Sequence, residues 1–479
     1  MGKDEQKAEE TTAEGDLQDI EAAENVETAA EQQTEEPVSL EDHAKAVLAH
    51  NDQGNFTIPA EGIYPHQWLW DSCFIAIGLR HFDVDRAKIE LTNLLRGQWS
   101  NGMIPHMILN PIGRGPDGKK LRNSDIWRSW LNPYSPDDVS TSGITQPPVL
   151  AEAVVKVGEK LKATERRSWY HLVYPALVAH HAWLYHERDP HGEGLVLQIH
   201  PWETGLDNTP PWMAELNEHL LPWWIRAMEK TGLDTVFGWF RSDTRYVPAE
   251  QRESNVEALA VYSAQRRLRR KNYEINKILD HSLFTIEDLT FNCIFARANQ
   301  HLRHIAKAIR QDLPDELVAN MKKTEEALEQ LWDPYAGEYF TRDFVTHRLL
   351  KESSIAALMP LYAGCIGQER ADTLVKLLEN KHRFGPAYPV PSAPLDSPWF
   401  KSKGYWQGPT WINTNWLIIE GLKNYGFNEH AQALTESTLE LIDQAGCYEY
   451  FDATNGAPAG TDNFSWTAAL ALDLLKNKA

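Results

Sequence analysis

Pro147-Pro-Val-Leu-Ala-Glu-Ala-Val-Val-Lys-Val-Gly-Glu-Lys-Leu161 carries the signal that decides the fold class. Two prolines interrupt the preceding chain, and Leu150, Val154, Val157 and Leu161 then recur at the spacing of one helix face. Elsewhere Leu40, Ala44, Val47 and Leu48 keep the same period, as do Ala87, Leu91 and Leu94, and Trp466, Leu470 and Leu474. Ser39, with Asp42 three residues on, predicts an N-terminal cap for the first of these helices. The period predicts helices near 40–51, 70–81, 85–97, 147–162, 166–187, 211–230, 248–273, 289–311, 314–331, 352–379 (as two), 411–424, 428–444 and 464–477. Long alternating runs are missing, so the expected class is all-α. The turns at 189–194 and 333–337, rich in Gly and Asp, are expected to close short β-hairpins in the loops.

A dozen or so helices in about 440 residues, with no linker between halves, fit a single domain over 38–479. A toroid of paired helices suits that count; a helical-repeat solenoid would too, but no fixed period runs through the chain. Residues 1–37 hold 13 Asp/Glu against 2 Lys and almost no large apolar side chains, so a disordered acidic tail is expected there. That stretch supplies −11 of the net charge of −21 and leaves an ordinary −10 for the rest. Neither part is basic, which excludes the electrostatic footprint of nucleic-acid binding. No run approaches the ~18 apolar residues of a membrane span, and no basic start followed by an apolar run marks a secretory signal. Cys73, Cys293, Cys365 and Cys447 lack paired spacing and read as reduced thiols, which points to the cytoplasm. Without HExxH, Cys/His ligand spacing or a Gly-rich phosphate loop, neither a metal nor a cofactor is expected.

Aromatic residues stand out: 18 Trp, 16 Tyr and 15 Phe, many beside polar groups. Aromatic faces next to amides and carboxylates suit a sugar, apolar on its C–H face and polar at its rim. They cluster in 64–71, 97–106, 200–212, 405–411, 448–452 and 463–466. Glycoside hydrolysis needs one protonated and one ionised carboxyl flanking the scissile bond. Asp207, among Trp202, Leu206, Pro210, Pro211 and Trp212, and Glu449, among Tyr448, Tyr450 and Phe451, are the candidates. On spacing alone Asp207 reads equally as a cap for the helix near Pro211, and Glu449 as an ordinary strand residue. His66, His106 and His200 flank the same segments and keep open a sugar epimerase or isomerase working through histidine. A non-catalytic sugar-binding protein is the third reading.

Pro201-Trp-Glu-Thr-Gly-Leu-Asp-Asn208 resembles the general-acid loop of trehalase-like and family sixty-three glycoside hydrolases. Tyr405-Trp-Gln-Gly-Pro-Thr-Trp-Ile-Asn-Thr-Asn-Trp416 is similar to their barrel motif, and Tyr448-Glu-Tyr-Phe-Asp452 with Asn463-Phe-Ser-Trp466 to their general-base segment. Trp70-Asp71 resembles their sugar-binding pair. The matches run in order over roughly 40–479. The resemblance implies an (α/α) six-hairpin barrel and an inverting mechanism, with Asp207 as general acid and Glu449 as general base, about 6.5–9.5 Å apart. It also implies that Asp71, Trp70, Trp68, Gln146, Trp406 and Trp411 hold the sugar, with Trp202, Glu203 and Gly205 beside the acid.

Within that clan the chain resembles the mannosylglycerate and glucosylglycerate hydrolases, which release hexose and glycerate. A trehalase-like or other α-glucosidase is the alternative in the same clan. The carboxylate of such a substrate calls for a cation. By this resemblance Arg241 and Tyr246 grip glycerate, Tyr405 and Gln407 assist, and Tyr64 closes over the ligand. Asp243 is a competing partner for Arg241. Barrels of this kind often pair, so a dimer or tetramer is expected.

Overall fold

The computed structural model describes residues 38–111, 126–215, 221, 223–232, 235, 241, 243–245, 247–280, 282, 284–385 and 388–477. The acidic stretch 1–37 lies outside the described residues. Residues Leu40–Ala479 form one compact unit.

Helices alternate along the chain with short strands in the loops. Helix α1 (Leu40–His50) leads through strand β1 (Gln67–Trp68) into α2 (Leu69–Leu79), and α3 (Val84–Leu95) through β2 (Met107–Ile108) into α4 (Leu150–Glu159). Helix α5 (Ala163–Arg188) is followed by an excursion carrying α6 (Pro210–Glu215), α7 (Trp223–Thr231), α8 (Asn255–Arg270), α9 (Ile275–Leu279) and β3 (Ile286–Glu287), which ends at α10 (Leu289–Ile309). Helix α11 (Asp315–Leu328) is joined through β4 (Trp332–Asp333), β5 (Glu338–Tyr339) and β6 (Arg342–Asp343) to α12 (Met359–Ala363). Helix α13 (Gln368–Glu379) precedes α14 (Ile412–Asn424). Helix α15 (Asn428–Ala445) leads through β7 (Tyr450–Phe451) and β8 (Pro458–Ala459) to α16 (Ser465–Lys476).

The second helix of each pair lines the inside. Helix α2 packs on α4, α4 on α10, α10 on α12, α12 on α14, α14 on α16, and α16 back on α2, so the ring closes. Helices α1, α3, α5, α11, α13 and α15 pack around it. This is an (α/α) six-hairpin barrel. Composition sorts the two layers. Every residue of α2 is buried, as are ten residues each of α14 and α16, and a helix that is apolar all round must be enclosed. Outer helix α3 buries only the stripe Ala87, Glu90, Leu91 and Leu94.

The ring closes tightly where α2 meets α16. A Cβ on Gly78 would lie 2.6 Å from the Ala469 Cβ, and it would also press on the Ala469 backbone, which cannot swing aside. Gly78→Val is therefore expected to destabilise the fold by about 2 kcal/mol or more, read as a lower thermal midpoint. An unchanged midpoint would mean that the two helices can slide apart.

Among the described residues the predicted helices are present within a few residues of their expected limits. Expected segment 211–230 is represented by two helices, α6 and α7. Expected segment 248–273 becomes α-helical only at Asn255, because the Ser254 hydroxyl accepts the Glu257 N–H and the Glu257 carboxylate in turn accepts the Ser254 N–H. Helix α9 was not foreseen. The turn at 333–337 closes the β4–β5 hairpin as expected, with Trp332 opposite Tyr339. The one at 189–194 closes no hairpin. Its Asp189 carboxylate accepts the N–H groups of Glu193 and Gly194, which folds the turn on itself. No helix among the described residues is long and apolar enough to cross a membrane.

Candidate active site

The N-terminal ends of α2, α4, α14 and α16 open on one cavity. Tyr64, Trp68, Trp70, Asp71, Gln146, Gly205, Asp207, Tyr405, Trp406, Trp411 and Glu449 line it, with Pro59, Phe464 and Trp466. Its volume is about 60 Å³, room for a few waters. Trp406 and Trp411 stack with ring centres 3.8 Å apart, and Trp70 meets Trp466 edge-on at 5.4 Å. Trp68 Nε1, Trp466 Nε1 and Gln146 Oε1 are buried with no partner among the described residues. Sugar hydroxyls are the groups that would satisfy them.

The loop bearing Asp207 is held from several directions. Gly205 turns it with φ of +74°, and a Cβ there would lie 2.8 Å from the Trp70 ring, so both conformation and space require glycine. Asn208 pins the loop to the barrel motif: its Oδ1 accepts the Trp406 N–H at 2.8 Å, and its backbone oxygen accepts the Gln407 side-chain N–H at 3.0 Å. The Tyr405 hydroxyl donates to Asp207 Oδ2 at 3.3 Å from a backbone with φ of +61°, unusual for a tyrosine. Burial pushes the Asp207 carboxyl up to about 7, the nearby charge of Glu449 adds to this, and Tyr405 and Arg252 oppose it.

Glu449 is surrounded differently. Its Oε1 accepts from the Tyr64 hydroxyl at 2.8 Å and from Arg252 Nη1 at 3.0 Å, and its Oε2 from the Thr461 N–H at 3.2 Å. Among the described residues the carboxylate thus meets three donors, one of them a cation, the partners that suit an acceptor-only group. One cavity thus holds one carboxyl with raised proton affinity and one fixed by donors, the division of labour that acid–base catalysis needs. Asp71, buried beside both, is driven well above its usual range by burial and by the charges of Glu449, Asp207 and Glu90.

Residues 64–467 match the family model described as the mannosylglycerate hydrolase MGH1-like glycoside hydrolase domain. The chain belongs to this family. It is a glycoside hydrolase. It is 38% identical over 433 residues to the mannosylglycerate hydrolase of Thermus thermophilus, covering 90% of this chain and 99% of that protein. With the glucosylglycerate hydrolase of Mycolicibacterium hassiacum it shares 30% over 456 residues, covering 92% and 98%. A crystal structure of the family 63 mannosylglycerate hydrolase from Thermus thermophilus, in complex with Tris and D-glycerate, superposes with a TM-score of 0.79 at 37% identity, covering 91% of this chain and 99% of that one.

For a hydrolase of this family, five of the residues expected at the ligand stand elsewhere or cannot be placed. Glu203 is buried behind the acid loop, where its carboxylate accepts from Arg188 and from the N–H groups of Thr145 and Ile199; those bonds occupy it as a strut. Trp202 packs against His200, Trp127 and His106 outside the cavity lining. Gln407 is buried and spent on Asn208. Arg241 donates from Nε and Nη2 to both oxygens of Asp243, at 3.1 and 2.6 Å, so its carboxylate-binding edge is already taken. Tyr246 lies outside the described residues. Arg252, bonded to Glu449, is the residue that sequence reasoning missed, and Pro59, Phe464 and Trp466 join the wall beyond the side chains expected to hold the sugar.

The flanking histidines do not line the cavity. His106 Nδ1 pairs with the Ser142 hydroxyl, and His200 Nε2 with the Val261 carbonyl. Burial holds His66 and His200 down at about 4 and His106 well below its usual range. Among the described residues no three His, Cys, Asp or Glu side chains gather as metal ligands.

Proposed function

We propose that this enzyme hydrolyses an α-linked hexosylglycerate, either glucosylglycerate or mannosylglycerate, to hexose and glycerate with inversion. Asp207 gives its proton to the bridging oxygen as the C–O bond breaks. A water attacks the anomeric carbon from the opposite face, and Glu449 takes up its proton. Asp71 and the indoles of Trp68 and Trp70 hold the sugar hydroxyls, with Gln146 and Trp406 completing the wall. The observation that carries this reading is the pairing, in one aromatic cavity, of a buried carboxyl raised to about 7 with a carboxylate held by three donors. The histidine-based epimerase loses its support, since His106 and His200 face Ser142 and Val261 instead of the cavity.

The catalytic domain is taken as 38–479, with Leu40–Ala479 compact in itself. Free cysteines at 73, 293, 365 and 447 favour a reducing compartment, the cytoplasm.

The test is proton NMR of the chain mixed with glucosylglycerate, mannosylglycerate, trehalose and kojibiose. β-Hexose is expected first, from a glycerate glycoside. Release of the α-anomer first would remove inversion, and no hexose from any of the four would remove hydrolysis of these glycosides.

A further inference from the structure

Resting on that reading, we infer that Arg252 is a positioning residue that holds Glu449 ionised and aimed, and so sets the low-pH limit of the reaction. The segment around Arg252 is fastened at both ends. On one side the Ser254–Glu257 capping box fixes the start of α8. On the other, the Gln251 carbonyl accepts from the Tyr450 hydroxyl, and Gln251 Oε1 accepts the Gly460 N–H at 2.9 Å. Tyr450 follows Glu449, and Gly460 precedes the Thr461 that binds Glu449 Oε2. Both strands of the β7–β8 hairpin that follows the carboxylate are thereby clasped by the residue next to Arg252.

Arg252 is 7% exposed, its guanidinium carbon 5.4 Å from the Tyr64 ring centre and 5.0 Å from that of Tyr405. Its Nε and Nη2 have no partner among the described residues, and Glu449 is the one carboxylate it bonds to there. A buried guanidinium needs a counter-charge, and the Glu449 carboxylate is the one bonded to it among the described residues. The titratable groups facing Glu449 are Tyr64, Asp71, Asp207, Arg252, Tyr405 and Tyr450. Arg252 is the cation of the set. Asp71 and Asp207 push the other way, each drawn upward in part by the charge of Glu449. Removing Arg252 leaves the Glu449 carboxylate beside Asp71 and Asp207 with no cation bonded to it.

The test is kcat and KM against pH for the full chain, Arg252→Gln and Arg252→Lys. Arg252→Gln should move the acid limb of kcat/KM up by about one to three pH units and lower kcat at pH 5 by tenfold or more, with KM within about threefold. Arg252→Lys should recover part of the shift. In a Glu449→Gln background the same change should cost nothing further. An acid limb that stays in place, or equal losses in both backgrounds, overturns the inference. Should both variants fail to fold, nitrogen-15 NMR of the Arg252 guanidinium in the unmodified chain decides. Its signals should titrate with the midpoint of the kinetic acid limb, and a different midpoint rejects the coupling. If the unmodified chain cleaves no α-glycoside, the proposed function has failed, and the Arg252 signals compared with and without Glu449→Gln still report whether the two groups are linked.

Discussion

Asp207→Asn is expected to lower kcat on a hexosylglycerate by about a thousandfold with the fold intact. Asn keeps the size of the side chain and can still accept from Tyr405, but it has no proton to give. The defect should be selective. A glycosyl fluoride of the same hexose leaves without protonation, so the variant should retain most of its activity on that substrate. The pH dependence sharpens the test. The acid works protonated, and burial lifts it from 3.8 to about 7, so kcat/KM on the glycerate glycoside should fall about tenfold per pH unit above that value. On the fluoride this basic limb should vanish. Equal losses on both substrates would assign the proton donor elsewhere.

Glu449→Gln should cost a similar factor, about a thousandfold in kcat, but on both substrates alike, because water must be activated whatever group departs. Its KM should stay within a few-fold, since Tyr64 and Arg252 still have an amide oxygen to meet. The acid limb of the pH profile should disappear with the carboxylate. Steady-state kinetics on the two substrates separates the two roles: rescue by fluoride marks the acid, and no rescue marks the base. A Glu449→Gln enzyme as fast as its parent would leave inversion without a base.

What was legible in the sequence was local. Trp70-Asp71, the Asp207 loop and the 405–411 motif each hold their aromatic and polar partners within a few residues, so composition and resemblance point at them directly. Inner helices were equally visible from their apolar period, α4 in Leu150, Val154 and Val157 and α16 in Trp466, Leu470 and Leu474. Arg252 was not visible. It lies in the polar run Gln-Arg-Glu-Ser, and its partner Glu449 is 197 residues away, so only the closed barrel brings them together. Arg241 misled for the converse reason. A cation beside an aromatic segment reads as a ligand group, yet Asp243 two residues on takes both of its forked donors. Glu203 and Gln407 sit inside motifs that face the sugar, but the backbone there turns them inward to hold the loop. A motif names a neighbourhood; which way each side chain points depends on packing from distant elements.

The docking of α16 on α2 bears on how this chain is made. Helix α2 leaves the ribosome about 400 residues before α16 does, an interval of roughly 20–80 s at 5–20 residues per second. For that time Phe74 lacks Trp416 and Trp466, whose rings meet it edge-on at 5.9 and 6.2 Å in the finished barrel. Nascent α2 should therefore be a target for chaperones, and the enzyme can acquire activity only once α16, which brings Trp466 to the cavity, has been synthesised.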